Sequence, residues 1–181
     1  MRSIIVLPLA ATAFLTACNS ADKPKSPDEV KEEVAKVERP QPGLYRTTSK
    51  IISFEIPGMA PAEAQRMKAM FSSTNQDRNY CLTKEEADKG WEAVTQKLAE
   101  GDCTYDRFEA SSGTLDAKLT CETGKGMKST IEMKGTMTST GSNMTMTMAQ
   151  AAPQLPGGSG GIKMVAEVAS QRVGDCPPGA K

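Results

Sequence analysis

The chain of 181 residues contains no histidine. That absence excludes Ser-His-Asp and Cys-His nucleophilic sites and histidine-ligated zinc hydrolases, because each needs an imidazole to move a proton or hold the metal. Aromatic residues are scarce, with one Trp, three Tyr and four Phe, so a core must come largely from Met, Leu, Ile, Val and Ala. Neither sign of charge is in excess: 22 basic and 22 acidic side chains offer no electrostatic basis for binding nucleic acid. The one glycine-rich run, PGGSGG at 156–161, lacks the GxxxxGK(S/T) phosphate-loop pattern and a helix after it. No Cys-x-x-Cys knuckle occurs, which argues against a four-thiolate metal centre. Asp and Glu are plentiful, but nothing in their spacing singles out a catalytic pair. No catalytic residue, metal ligand set or cofactor is therefore expected, and a histidine-free enzyme stands only as an alternative.

What is present begins with MRSIIVLPLAATAFLTACN. Arg2 supplies a positive start, Ile4 to Leu15 an apolar stretch, and small residues follow, the layout of a secretory signal too short for a comfortable bilayer span. Leu15-Thr16-Ala17-Cys18 resembles the bacterial lipobox. The resemblance implies a signal peptide over 1–17 and a mature chain that begins at a lipidated Cys18. Several palmitate-like acyl chains, each methylene contributing about 0.8 kcal/mol, would anchor it far more firmly than one myristoyl group. By the same resemblance Asn19, rather than Asp, leans toward the outer membrane, with the domain facing the periplasm. Removal of Arg2 leaves one acidic side chain in excess.

Residues 18–42 are charged and bounded by proline, and read as a lipidated N-terminus and tether. Inside it Ser26, Pro27 and Glu29 satisfy a capping box, and Val30, Val34 and Val37 fall on one face, so a short spacer helix is expected. A single domain is expected over 43–176, with 177–181 a frayed tail. Residues 44–56 read as a strand. A helix is expected from Pro61 to about Phe71. A second runs from a capping box at Thr83 and Glu86 to Gly101, with Ala87, Trp91, Val94 and Leu98 in a stripe that makes Trp91 a core residue. From Cys103 the period changes to two, giving five further strand candidates at hairpin spacing. The run AAPQLPGGSGG is a loop between the last two.

Cys18 aside, four cysteines remain, an even number in an oxidising compartment. A three-residue turn at Ser111-Ser112-Gly113 pairs Ala110 with Thr114, Glu109 with Leu115, Tyr105 with Leu119, and Cys103 with Cys121. Opposed cysteines at a non-hydrogen-bonded pair are close enough to bond. Of three connectivities, this one leaves Cys81 for Cys176.

Methionine is abundant, at eleven residues. In NMTMTMA, Met144, Met146 and Met148 share one strand face, with Met133 and Met137 expected opposite. Three readings stay open: a buried core, an adaptable apolar ligand groove, or soft-metal (Cu(I)) binding through thioethers.

PGLYRTTSKI, Gly58-Met59, YCLT, CTYDRFEASSGTLDAKLTC, the Met-Thr strands and RVGDCP occur in that order. Together they resemble the bacterial envelope family called domain of unknown function 3617, over roughly residues 42–178. The resemblance implies an exported protein with a mixed helix and antiparallel-sheet domain, and no established activity. The expected fold is α+β: an antiparallel, curved sheet of about six strands, mostly a meander, packed on one or two helices and held by two disulfides. The expected role is non-catalytic, binding an apolar ligand or an envelope protein partner.

Overall fold

The computed structural model describes residues 23–73, 77–91, 102–123, 127–151 and 161–179. Seven strands form one open antiparallel sheet: β1 (Gly43–Glu55), β2 (Arg78–Leu82), β3 (Cys103–Ser111), β4 (Thr114–Thr123), β5 (Met127–Thr138), β6 (Gly141–Gln150) and β7 (Ile162–Gly174). Their spatial order is β2-β1-β7-β6-β5-β4-β3. Strands β3 to β7 are a meander, and β1 then lies antiparallel beside β7, which carries the first strand to the far side of the last. Three helices are described: α1 (Pro27–Ala35), α2 (Pro61–Ser73) and α3 (Lys84–Lys89).

The strand count is seven rather than six, and β2 is the addition. Its sequence RNYCL does not alternate, and Arg78, Asn79 and Tyr80 are exposed. Tertiary partners supply what the pattern lacks. The Arg46 guanidinium pairs with Asp77, Tyr80 stacks on Tyr45 with ring centroids 5.5 Å apart, and Cys81 is bonded to Cys176.

Period-2 alternation gives the sheet two unlike faces. One carries cross-strand charge pairs: Arg107 and Lys134 on Asp116, Lys118 on Glu132, and Lys128 on Glu122. The other is apolar and holds two separate clusters. The larger gathers Tyr105, Phe108, Ala110, Leu115, Ala117, Leu119 and Met137 with the valines of α1 and Val37. The smaller gathers Ile51, Phe54 and Ile56 with Met59, Met67, Ile162 and Met164, under α2.

Helix α1 differs from the spacer expected of it. The capping box forms as read: Glu29 N donates to Ser26 Oγ at 3.3 Å and Ser26 N donates to Glu29 Oε2 at 2.7 Å. The valine stripe, however, packs on the protein's own sheet, with Val30, Val34 and Val37 at 1%, 8% and 5% exposure. The small side chains Ala110 and Ala117, both essentially buried, let the helix approach. Lys25 N donates to Tyr105 O at 2.7 Å on the β3 edge, and Gln41 N donates to Ser139 O at 2.7 Å. Residues 25–41, expected as part of a tether, are thus packed and hydrogen-bonded as part of the folded unit.

The hairpin β3–β4 reaches its expected cysteine pair by a different route. The turn has two residues, not three: Ser112 and Gly113 both take positive φ, at 48° and 78°, and Ser111 pairs with Thr114. Such turns match the natural strand twist. Glu109 therefore faces Asp116 rather than Leu115. A bulge at Asp106 then shifts the register back, so Tyr105 faces Leu119 and Cys103 faces Cys121.

Helix α3 starts at the Thr83–Glu86 capping box and closes at Gly90, whose φ is 60°. Val94, Leu98 and Gly101 of the expected longer helix, the glycine- and proline-rich run over 152–160, and Cys18 with the segment before it all lie outside the described residues. Among the described residues no helix is long and apolar enough to cross a membrane.

A methionine-lined sheet face as candidate functional site

Alternation along β5, β6 and β7 sends Ile131, Met133, Met144, Met146, Met148, Met164 and Ala166 to the apolar face. Met133 stands opposite Met146, and Met148 lies between Ile131 on one side and Met164 on the other. Met144 faces Gly135, where an added Cβ would fall 1.9 Å from Asn143 O, so only glycine lets β5 approach β6 here. Met137 does not oppose a methionine as expected; it faces Ser142.

The row is not uniformly buried. Met137 is 6% exposed and belongs to the larger cluster, and Met133 and Met144 pack against it. Met146 is half-buried, Met148 is 39% exposed, and neither belongs to a cluster. Along β3 to β6 no charged side chain points to this face, since alternation sends Asp116, Lys118, Glu132, Lys134 and Lys128 to the other. What results is a strip of flexible, polarisable thioethers between two helix-covered patches.

The opposite face has a different chemistry. Burial would raise Asp116, but hydrogen bonds from Arg107 and Lys134 outweigh it and hold the carboxyl below the usual range. The same holds for Glu29, lowered by the Ser26 backbone N–H and then its hydroxyl, and for Glu33, lowered by Lys36. These carboxylates are occupied with structural partners. Among the described residues no group of three His, Cys, Asp or Glu side chains is placed to hold a metal ion.

A second concave feature escaped the sequence reading. A cavity of about 230 Å³ is lined by Tyr45, Tyr80, Leu82 and Trp91, with Ser142 and Ser170 at its side. It sits at the end of the sheet where β2 pairs with β1. Tyr45 is 3% exposed, and its hydroxyl donates to Gln41 O at 2.7 Å. Trp91, expected as core, packs against the larger cluster at half burial and donates from Nε1 to Glu38 O at 3.1 Å. The aromatics in PGLYRTT and NYCLT were legible one by one. Their meeting depends on β2, which the pattern did not show.

The disulfides are Cys103–Cys121, with Cα atoms 4.0 Å apart, and Cys81–Cys176, with Cα atoms 5.5 Å apart. The first locks the open end of the β3–β4 hairpin, and the second fastens the short edge strand β2 to the chain just after β7.

An α+β domain of this kind, a single open antiparallel sheet with helices over part of its apolar face and two disulfides, is the class to which fold and site assign the protein. The family described as "Protein of unknown function (DUF3617)" matches residues 40–176, and the chain belongs to it. No curated protein and no solved structure matches the chain.

Proposed function

We propose that the protein is a lipid-anchored envelope protein that binds an apolar ligand on the methionine face of its sheet, without catalysis. The observation that carries the reading is Met146 and Met148. They lie where β3 to β6 present no charged side chain to this face, between two packed clusters and in neither, with Met148 39% exposed. Thioethers on a strip of this kind repack around ligands of varied shape at little cost, because Met has three soft torsions and no hydrogen bonds to satisfy. The lipobox Leu15-Thr16-Ala17-Cys18 behind a secretory signal supports the anchor, and Asn19 supports the outer membrane. Two disulfides suit an oxidising periplasm.

The test is titration of the mature protein with a polarity-sensitive apolar dye. Wild type should bind with saturable fluorescence gain. Met146→Gln should lose most of it, and Thr145→Gln, on the other face, should keep it. Equal binding by all three would refute the site. A second reading rests on the register that sets Met133 opposite Met146 and Met148 opposite Met164, which puts four thioethers on neighbouring rungs. Such soft donors suit Cu(I). Copper-dependent stabilisation of wild type but not of Met146→Gln, without dye binding, would select it.

A further inference from the structure

We propose that the open end of the methionine face lies against the acyl region of the membrane to which the protein is anchored, so that the partner of this surface is the bilayer itself. The inference rests on the lipid anchor at Cys18 proposed above. Its first support is reach. Because residues 25–41 are docked, the chain between Cys18 and Lys25 can span at most about 25 Å. A free tether to Gly43 would have spanned about 85 Å.

Its second support is where the tether ends. Lys25 bridges Tyr105 at the β3 edge. From Tyr105 one row of paired residues crosses the apolar face: Leu119, Ile131, Met148, Met164 and Phe54. The anchor therefore leaves the domain on the rung that carries Met148, the exposed methionine. At the far end of that rung Phe71 of α2 packs on Phe54, ring centroids 5.4 Å apart, and is 41% exposed, and its neighbour Met70 is 62% exposed. Of the other exposed large hydrophobics among the described residues, Tyr80 and Val173 lie toward the opposite end of the sheet, and Ile52 lies at the register shift in β1, two residues from Phe54.

Its third support is the chemistry of that end. Met148, Met70 and Phe71 are uncharged side chains of a kind that buries well at the headgroup–acyl boundary, so the proposed contact is apolar.

Methionine oxidation reads the contact directly. The mature lipoprotein in phosphatidylcholine vesicles and a Cys18→Ser variant mixed with the same vesicles are treated with hydrogen peroxide, and sulfoxide at each Met is followed by peptide mass spectrometry. Met70 and Met148 should oxidise roughly five-fold more slowly in the anchored protein, whereas Met137, buried in the larger cluster, stays protected in both. The protection should persist in high salt. Equal rates at Met70 and Met148 with an intact mass that shows acylated Cys18 would overturn the contact and leave the anchor standing. Protection abolished by salt would make the contact electrostatic and also overturn it. An unmodified Cys18 would remove the anchor, and this proposal with it.

Discussion

Val30→Ala decides whether α1 is part of the domain. Val30 is 1% exposed and packs in the cluster with Tyr105 and Phe108. The change removes two methyl groups, at about 0.8 kcal/mol each, and leaves a small cavity, for a loss of about 2 kcal/mol. Against this, alanine is the better helix former by about 0.5 kcal/mol, so the net cost is about 1.5 kcal/mol. The two contributions have opposite signs, which is what makes the variant informative. On a free tether only the second would act, and the variant would be neutral or slightly more helical. Urea unfolding of the mature protein supplies the assay. With a slope of about 2 kcal/mol per molar, the midpoint should fall by about 0.75 M. Glu32→Ala, exposed on the same helix, should move it by less than about 0.3 M. An unchanged midpoint for Val30→Ala would refute the docking, and with it the short tether.

The disulfides close loops of 18 and 95 residues, so on the chain-entropy account Cys103→Ser/Cys121→Ser should lose about 3 kcal/mol and Cys81→Ser/Cys176→Ser about 4–5 kcal/mol. Urea midpoints in the reverse order would contradict that account. Among the methionines, Met137→Ala should cost about 2–5 kcal/mol. Met148→Ala should cost under about 1 kcal/mol, because its side chain is already in contact with solvent. Stability should be flat from pH 5 to 8, since no histidine titrates there. Asp116, Glu29 and Glu33 have lowered folded-state pKa values. They stabilise the fold above the ordinary carboxylate range, and this contribution is lost as pH falls through it. Tyr45 and Tyr105 are raised, chiefly by burial. They favour the fold below the ordinary tyrosine range, and that contribution is lost as pH rises through it. A stability step near pH 6.5 in thermal melts would contradict this assignment.

Local signals carried much of this fold. Ser26 with Glu29, and Thr83 with Glu86, announced two helix starts because a capping box is complete within four residues. Alternation in NMTMTMA announced a strand and its faces. The cysteine pair 103–121 was reached although two details differed. The shorter turn and the bulge at Asp106 shift register by one residue each, in opposite senses, and cancel before the cysteines. The pairs between turn and bulge expose the difference: Glu109 faces Asp116 and Ala110 faces Leu115, each one residue on from the expected partner.

The features that were not legible are those defined by distant partners. The stripe Val30, Val34, Val37 is too narrow to say what it covers. Its complement is Ala110 and Ala117, small residues some eighty positions away whose meaning appears only when β3 and β4 are paired. Strand β2 exists because of Asp77, Tyr80 and Cys81, not because of any period in RNYCL. The cavity at Tyr45, Tyr80 and Trp91 follows from that strand and could not be seen without it. The methionine row was visible as a face, but its division into a covered part at Met137 and an open part at Met148 depends on where α1 and α2 end.

Native mass spectrometry of the mature protein, released from its membrane in mild detergent, tests the central claim most directly. The binding account predicts a chain beginning at an acylated Cys18, carrying a non-covalent apolar adduct that is present in wild type and lost from Met146→Gln. A ligand-free wild type, or an adduct kept equally by the variant, would contradict it.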